Sequence, residues 1–122
     1  MPGGEHRPLA GDVIYHNARC STSRKTLQLL RDNGIEPTVV DYLKTPPSRA
    51  ELAEMIRDAG IEVRAAVRAN EDVYRQLGLD DASDEELLDA MVAHPILIQR
   101  PFVVTAKGTR LGRPVDAVRD IL

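Results

Sequence analysis

The sequence contains one cysteine, Cys20, among 122 residues, and no long apolar segment. A single cysteine cannot form an internal disulfide, and a lone thiol is typical of proteins in the reducing cytoplasm, which is therefore the predicted location. No apolar run approaches the roughly 18 residues that span a bilayer, so neither a transmembrane helix nor a membrane partner is predicted. The N-terminal segment also lacks the apolar stretch of a secretory signal.

An excess of basic residues is missing as well. Sixteen Lys and Arg residues stand against 19 Asp and Glu residues, which gives a net charge of −3. Domains that bind nucleic acid usually carry a marked basic excess, so nucleic acid is not a predicted partner. Hydrophobic residues make up 43% of the chain and charged residues 29%, the composition of a folded globular protein. At roughly 150 residues per domain this length predicts one domain, and nothing indicates an obligate oligomer, so a monomer is expected.

Strand and helix signals predict an α/β fold over residues 12–122, after a flexible lead-in at residues 1–11. The first strand is predicted at residues 13–16, followed by a helix with N-cap candidates at residues 21–23. The second strand is predicted at residues 36–42. A strand, a helix and a strand within about 30 residues are typical of a parallel βαβ unit.

A helical block separates the second strand from the rest of the predicted sheet. Two capping boxes, Ser48 with Glu51 and Ser83 with Glu86, indicate helix starts, and short helical pieces are predicted between them. This helical insertion covers about residues 48–94. Two β-prone runs around a glycine turn then predict an antiparallel hairpin, and a short helix closes the chain. The predicted fold class is thus α/β, with a small mixed β-sheet and flanking helices.

Cys20 lies between the first strand and the first helix, where a thiolate would be stabilised. The N-terminus of a helix presents unpaired N–H groups and the positive end of the helix dipole, and both lower the pKa of a thiol. Arg19, Arg24 and Lys25 add positive charge nearby. His16, at the end of the strand, is close enough in sequence to contact the same loop. The alternative is a buried structural cysteine, the most frequent role of a lone thiol, but the polar neighbours of Cys20 favour a reactive one.

The spacing around Cys20 excludes two thiol motifs. A redox motif of the thioredoxin type has the pattern C-x-x-C, but Ser23 stands where the second cysteine would be. A phosphatase-like loop has the pattern C-x5-R, but Thr26 stands at the position of the arginine. The site is therefore predicted to use one thiol, which can attract an oxyanion at the helix start and exchange with an external thiol.

Four segments of the sequence carry a family resemblance. They are YHNARCSTSR at residues 15–24, YLKTPPSR at residues 42–49, HPILIQRPFVV at residues 94–104 and GTRLGRP at residues 108–114. Together they closely resemble the glutaredoxin-coupled arsenate reductase family, and the resemblance extends from Asp12 to the C-terminus. Four separated motifs in the same order form a far more specific signal than one cysteine pattern.

The resemblance implies a thioredoxin-like fold with an inserted helical subdomain, in agreement with the predicted order of elements. It also implies the reaction, in which arsenate is reduced to arsenite with glutathione and glutaredoxin as electron donors. No bound cofactor is implied, because glutathione acts as a co-substrate.

The resemblance also implies roles for single residues. Cys20 matches the nucleophilic cysteine, and Pro101 falls where thioredoxin-like folds carry a cis-proline that faces the active cysteine. His16 and Ser23 match two residues thought to favour the thiolate. The three arginines that bind the oxyanion correspond to Arg68, Arg100 and Arg113.

Elementary chemistry supports arginines in this role, because planar guanidinium groups match the oxygens of a tetrahedral anion and neutralise its charge. Taken alone, Arg68 lies in an irregular helical stretch and would be interpreted as a solvated surface residue. His16 alone would be interpreted as a half-buried strand residue. The histidines of the sequence lack the spacing of metal ligands, so no metal site is predicted.

Two further functions remain compatible with this sequence. One is that of the Spx-type regulators, which share the fold and bind RNA polymerase without catalysis, although they usually carry the C-x-x-C pattern that Ser23 interrupts here. The other is a general glutathione-dependent monothiol oxidoreductase that acts on mixed disulfides. The leading prediction is a glutaredoxin-dependent arsenate reductase, an oxidoreductase with Cys20 as its nucleophile.

Overall fold

The computed structural model describes residues 11–122, in which four strands and four α-helices are joined by turns and short 3₁₀ helices. The flexible lead-in predicted at residues 1–11 falls almost wholly outside this range and remains a prediction. The strands are Val13–His16 (β1), Thr38–Asp41 (β2), Phe102–Thr105 (β3) and Gly108–Leu111 (β4). The α-helices are Ser21–Asp32 (α1), Arg49–Asp58 (α2), Asp72–Gln76 (α3) and Asp84–Ala93 (α4), and the 3₁₀ helices are Val63–Ala66, Leu79–Asp81, Pro95–Leu97 and Val115–Ile121.

The four strands form one mixed sheet in the order β2-β1-β3-β4. β1 and β2 run parallel, as the predicted βαβ unit requires, whereas β3 is antiparallel to both β1 and β4. β2 is shorter than the strand predicted at residues 36–42, because the ladder cannot continue on either side. Pro37 has no N–H to donate, and the carbonyl of Asp41 accepts the N–H of Lys44 at 3.0 Å, which begins a turn.

Alternating side chains of the sheet point into two separate cores. In β3, Phe102 packs with α2 and α4, whereas Val103 packs on the opposite face. That opposite face is covered by α1 and by the 3₁₀ helix Val115–Ile121, and its buried core consists of Ile14, Leu30, Val103, Val118 and Ile121. The sheet is therefore the middle of three layers, with one core on each side.

The helices between β2 and β3, which we call the helical segment (residues 49–97), begin as predicted. The Ser48 hydroxyl accepts the N–H of Glu51 at 3.1 Å, and the Glu51 carboxylate accepts the N–H of Ser48 at 2.8 Å. The same reciprocal pair joins Ser83 and Glu86. Such capping boxes define where a helix starts, because they satisfy N–H groups that the helix leaves unpaired.

The closing element forms a 3₁₀ helix, Val115–Ile121, in place of an α-helical turn. Val118 and Ile121 lie three positions apart, which is the repeat of a 3₁₀ helix, and both are buried against the sheet.

The architecture confirms the predicted fold class, a small mixed sheet with flanking helices and an inserted helical part. The predicted domain limits, residues 12–122 with an insertion at about 48–94, remain an interpretation. Within the described residues, no helix combines the length and the apolar character needed to cross a bilayer.

Candidate active site

Cys20 occupies the N-cap position of α1, in extended backbone (φ −94°, ψ 120°) directly before the first helical residue. The N-cap predicted at residues 21–23 is therefore wrong. The reason lies in the turn after β1, where the N–H of Cys20 donates to the carbonyl of Asn17 at 3.0 Å and the helix begins one residue later. The Cys20 side chain forms no capping hydrogen bond and is partly exposed, so its sulfur is available at the helix start.

The pKa of the Cys20 thiol is lowered, although burial alone would raise it. Three groups outweigh the burial: the backbone N–H of Ser23, the guanidinium of Arg100 and the backbone N–H of Thr22. Both N–H groups belong to the first turn of α1, which has no carbonyls of its own to pair with them, and the guanidinium adds a full positive charge. These contacts favour the thiolate over the thiol.

Ser23 connects the end of β1 to the first turn of α1. Its hydroxyl oxygen lies 2.6 Å from Nδ1 of His16 and accepts the N–H of Asn17 at 3.1 Å. A serine hydroxyl can donate to an unprotonated imidazole nitrogen while it accepts from an amide, so one arrangement satisfies all three groups. Ser23 is fully buried, and this network fixes the helix turn whose N–H groups face the sulfur.

His16 is neutral in this site, because its pKa is lowered. Burial is the main cause. The charge of Asp41 opposes it, and the charges of Arg31 and Arg24 add to it. A neutral imidazole supplies no positive charge to the thiolate, so His16 contributes by holding the serine hydroxyl beneath the helix start.

Arg100 and Arg113 flank the hairpin of β3 and β4, and each precedes a proline in a cis peptide bond. The cis bond between Arg100 and Pro101 agrees with the family resemblance. Because the two strands pair antiparallel, the residues at the hairpin's open end lie side by side. Nη1 of Arg113 donates to the carbonyl of Arg100 at 3.2 Å and lies 3.9 Å from Sγ of Cys20.

The guanidinium of Arg100 is buried, with only 9% of the residue exposed. Two of its nitrogens, Nε and Nη1, have no hydrogen-bond partner in the protein. Buried donors are normally paired, because an unpaired one costs free energy. Arg100 therefore carries two unpaired buried donors and also acts on a thiol of lowered pKa.

Arg68 lies between the 3₁₀ helix Val63–Ala66 and α3, where two neighbours hold its side chain. Nε donates to the Glu71 carboxylate at 3.1 Å, and Nη1 donates to the Gln99 amide oxygen at 3.3 Å. Only 14% of the side chain is exposed, so the surface position that the local sequence suggests is wrong. The N–H of Arg68 donates to the carbonyl of Leu97 at 2.7 Å, and this pairing brings the residue next to the segment that leads into β3.

The structure brings the six predicted residues to one edge of the sheet. Arg113 contacts both Cys20 and Arg100, as described above. Burial raises the pKa of Tyr42 most strongly, and the Asn17 side chain and the charges of Arg100, Arg68 and Cys20 also act on it, so these groups lie in the neighbourhood of its hydroxyl. The remaining two predicted residues, the histidine of β1 and the serine of α1, lie behind the thiol.

Two residues of the site are not found by sequence reasoning, Tyr42 and Asn17. Each directly follows a strand, and the parallel pairing of His16 with Asp41 carries both to the same edge of the sheet. Residues that follow neighbouring parallel strands meet at the carboxyl edge, where such sheets bind ligands. The predicted βαβ unit contains this signal, although it needs the strand register to become specific.

One thiol of lowered pKa at a helix start, beside arginines and at the edge of a mixed sheet, defines a class: thiol-dependent oxidoreductases of thioredoxin-like fold. Among residues 11–122, His, Cys, Asp and Glu side chains form no group of three or more that could hold a metal ion.

Comparison with known proteins narrows this class to one family. A model described as the ArsC family matches residues 15–121, and the chain belongs to that family. The chain is 62% identical to an arsenate reductase of Rhizobium meliloti (strain 1021) over 112 residues, which are 90% of this chain and 80% of the relative. An arsenate reductase of Escherichia coli is 57% identical over 116 residues, which cover 93% and 82%. The solved structure of an arsenate reductase from Vibrio cholerae superposes with a TM-score of 0.86 at 48% identity, covering 91% of this chain and 97% of that one.

These matches confirm the family resemblance and the thioredoxin-like fold that the four sequence segments imply. The first relatives are matched over most of their own length, and the structural match covers nearly all of the solved chain. The likeness therefore includes every segment that contributes to the site.

Proposed function

We propose that this chain reduces arsenate to arsenite and that Cys20 is the nucleophile. The observation that carries the proposal is the pairing of a thiol of lowered pKa with buried guanidinium donors of Arg100 that lack partners. A thiolate without nearby positive charge would repel an oxyanion, because both are negatively charged. Unpaired donors without a thiolate would bind an oxyanion but could not react with it. Together they support a reaction in which a bound oxyanion is attacked by sulfur, and the similarity to arsenate reductases supports arsenate as that oxyanion.

Three arginines bind the substrate in this proposal. Arg100 offers Nε and Nη1 from the interior, and Arg113 offers its guanidinium from the exposed side, within 3.9 Å of the sulfur. Arg68 is anchored through Nε and Nη1, which leaves Nη2 for the anion. Guanidinium groups suit this task, because they donate two parallel hydrogen bonds and stay charged at all physiological pH values.

In the first step, the Cys20 thiolate attacks arsenic, a sulfur–arsenic bond forms, and one arsenic–oxygen bond breaks. The departing oxygen leaves as water after it takes up protons. The arginines lower the repulsion between thiolate and arsenate, and they stabilise the negative charge on the remaining oxygens as sulfur approaches. Donors that are already in place need not reorganise during the attack, which is why such preformed sites accelerate reactions.

The electrons for the reduction come from outside the chain, because Cys20 is its only cysteine. Glutathione displaces a second oxygen, which leaves as water, and forms a second sulfur–arsenic bond. A glutaredoxin thiolate then attacks the glutathione sulfur, so that a disulfide forms and the electron pair of the broken sulfur–arsenic bond stays on arsenic. Water hydrolyses the remaining bond between arsenic and Cys20, which releases arsenite and the thiol. Overall, one arsenate and two thiols give one arsenite, one disulfide and one water, so arsenic gains the two electrons that the thiols lose. Glutathione thus acts as a co-substrate, and no bound cofactor takes part.

His16 and Ser23 support the thiolate indirectly in this proposal. The Ser23 hydroxyl is held by the imidazole at 2.6 Å, and the Ser23 backbone N–H is one of the groups that lower the pKa of Cys20. Fixing the side chain of Ser23 also fixes its backbone, and so keeps that N–H directed at the sulfur.

The decisive experiment measures arsenite formed from arsenate by the purified protein with glutathione and glutaredoxin. The wild type should form arsenite, and Cys20→Ser should reduce the rate to background. Ser21→Ala is the matched control, because Ser21 lies at the same helix start but is exposed and should keep full activity. Wild-type protein that forms no arsenite above background contradicts the proposal.

The same preparations separate the alternative functions. Turnover of a glutathionylated peptide without arsenate would identify a general monothiol oxidoreductase. Binding of RNA polymerase subunits without arsenate turnover would identify a regulator of the Spx type. The cytoplasmic location and the monomeric state remain predictions.

A further inference from the structure

Residues 11–122 contain three buried side-chain nitrogen or oxygen atoms without a hydrogen-bond partner: Tyr42 Oη, Arg100 Nε and Arg100 Nη1. Buried polar atoms without partners are few in folded proteins, and each one calls for an explanation. Here all three belong to Arg100 and Tyr42, two residues that interact electrostatically with the reactive thiol. Their concentration at one place indicates that a ligand, rather than the protein, satisfies them.

Tyr42 lies beside the thiol because of the strand register. Asp41 pairs with His16, so the next residues, Tyr42 and Asn17, leave the sheet side by side. The carbonyl of Asn17 accepts the N–H of Cys20 at 3.0 Å, which makes Asn17 part of the turn that carries the thiol. Only 1% of Tyr42 is exposed, so packing fixes its ring and its hydroxyl cannot turn to solvent.

The Tyr42 hydroxyl is a hydrogen-bond donor for which the protein supplies no acceptor. Burial is the main cause that raises its pKa, so the phenol keeps its proton at neutral pH. The Asn17 side chain and the charges of Arg100 and Arg68 lower that pKa, as donors and cations near the oxygen do. Apart from the Cys20 thiolate, the groups around the hydroxyl therefore offer hydrogen-bond donors or positive charge, and none takes up its proton.

We infer that Tyr42 is a further substrate-binding residue, whose hydroxyl donates a hydrogen bond to an oxygen of the oxyanion that Cys20 attacks. One ligand that satisfies a phenol and two guanidinium donors must present several acceptor oxygens in different directions, and a tetrahedral oxyanion does so. The identity of that anion as arsenate rests on the proposed function, but its charge and shape rest on the donors alone.

The test is protection of Cys20 from alkylation by an anion. Iodoacetamide labels the Cys20 thiolate, and arsenate or sulfate, added without glutathione, should slow the labelling by occupying the site. Tyr42→Phe keeps the ring and removes only the hydroxyl. For both anions, we expect the concentration that gives half protection to rise about tenfold, the effect of losing one hydrogen bond to a charged ligand. The kcat/KM for arsenate should fall by a similar factor.

Tyr74→Phe is the matched control. Tyr74 is also a buried tyrosine, but its hydroxyl accepts a hydrogen bond from Nη1 of Arg64 at 2.9 Å in the helical segment. Its removal should lower Tm and leave anion protection unchanged. Tyr42→Phe should weaken anion protection and leave Tm nearly unchanged, because the protein supplies no acceptor to the hydroxyl that it removes.

Three results would overturn the inference. If the anion concentration that gives half protection were the same in Tyr42→Phe as in the wild type, for both arsenate and sulfate, the hydroxyl would not bind these anions. A marked decrease in Tm would show that it has a structural partner. A shift in the pH dependence of Cys20 alkylation as the sole effect would make Tyr42 a residue that positions the thiolate.

A measurement on the wild-type sequence does not depend on whether the variant folds. The chain contains three tyrosines, and labelling them as 3-fluorotyrosine gives one fluorine resonance for each. The resonances lost in Tyr15→Phe and in Tyr74→Phe belong to those two residues, and the remaining resonance belongs to Tyr42. Addition of sulfate should shift the Tyr42 resonance most, and an unshifted resonance contradicts the inference. If sulfate binding depends on Tyr42 but no arsenite forms, the proposed function fails while the binding role stands, so the two failures are distinguishable.

Discussion

Two arginines of the helical segment, Arg64 and Arg49, differ from Arg100 beside the thiol in the hydrogen-bond acceptors that the protein supplies to them. In the helical segment, Arg64 donates to the Tyr74 hydroxyl and to two backbone carbonyls. Arg49 likewise contacts the carboxylates of Glu85 and Asp89 and joins α2 to α4. Beside the thiol, Arg100 is buried with two nitrogens that have no acceptor. Arg100 thus keeps donors for a ligand, whereas Arg64 and Arg49 use theirs within the protein, although all three are the same residue type.

This difference has a cost in stability. Burial of unpaired guanidinium donors is unfavourable, whereas an arginine that meets carbonyls and carboxylates recovers the free energy of its lost hydration. A site that keeps such donors unpaired is therefore less stable without its ligand than a site with supplied acceptors. Substitutions in the two regions should separate activity from stability.

The largest effect is expected for Arg100→Met compared with Arg64→Met. Arg100→Met should lower kcat/KM for arsenate by about 10²–10³, the usual effect of removing a preformed donor to a developing charge. It should leave the free energy of unfolding unchanged or raise it, because it removes two unpaired buried donors. Arg64→Met should lower the free energy of unfolding by about 0.5–1.5 kcal/mol, because three acceptors lose their donor but the Arg64 side chain is exposed, and should leave kcat/KM unchanged.

Steady-state kinetics and denaturant titration of both variants test this comparison. If Arg64→Met lowered activity as strongly as Arg100→Met, an arginine whose donors are all used within the protein would also act in the reaction, and the distinction would fail. If Arg100→Met destabilised the protein by several kcal/mol without loss of activity, the unpaired nitrogens would have a structural role.

A second prediction concerns the pH dependence of the Cys20 thiol. Its pKa is lowered against the raising effect of burial, partly through Arg100, so the alkylation rate of the wild type should rise at a lower pH than that of a free thiol. Arg100→Met should move this rise to higher pH, and Arg64→Met should not. Alkylation rates measured against pH test both statements, and an identical profile for wild type and Arg100→Met would contradict them.

The same shift predicts how stability changes with pH. Because the pKa of Cys20 is lower in the folded state, the unfolded state binds more protons between the folded and unfolded pKa values. The stabilisation is complete above the unfolded value and is lost as pH falls through the folded value. The difference in unfolding free energy between wild type and Cys20→Ser should therefore increase as pH rises through this interval.

The smallest effects are expected from two serines. Ser48→Ala removes a capping hydroxyl from α2 and should lower the free energy of unfolding by about 1 kcal/mol without a change in activity. Ser23→Ala removes a hydroxyl that contacts both His16 and the Asn17 N–H, so it should lower stability and activity together. Equal activity loss in both variants would show that stability alone governs the rate.

Most of the fold is predictable from local signals, because those signals act over few residues. Capping boxes satisfy N–H groups within three positions, as at Ser48, and β-prone runs around a glycine define the hairpin. The start of α1 is less predictable, since three hydroxyl residues follow Cys20 and each could serve as N-cap. The turn that Asn17 closes decides between them, and no local preference indicates it.

The site is predictable only in part, because its residues meet through long-range pairing. Arg68 is interpreted as exposed from its neighbours, yet its contact with Gln99 buries it. Tyr42 shows no chemical signal of its own and becomes a site residue through the register between β1 and β2. The family resemblance supplies such residues only where its motifs assign them a role, and for Tyr42 they assign none.

The two cores on opposite faces of the sheet each carry one part of the site. α1, which presents the sulfur, packs through Leu30 into one core, while Tyr42 belongs to the other. A substitution that weakens the packing of either core therefore changes the distance between the Cys20 sulfur and the hydrogen-bond donors of the site. This holds even when the substituted side chain lies far from the sulfur and from the donors. We therefore expect a cavity-forming substitution in either core to lower turnover even where the chain remains folded.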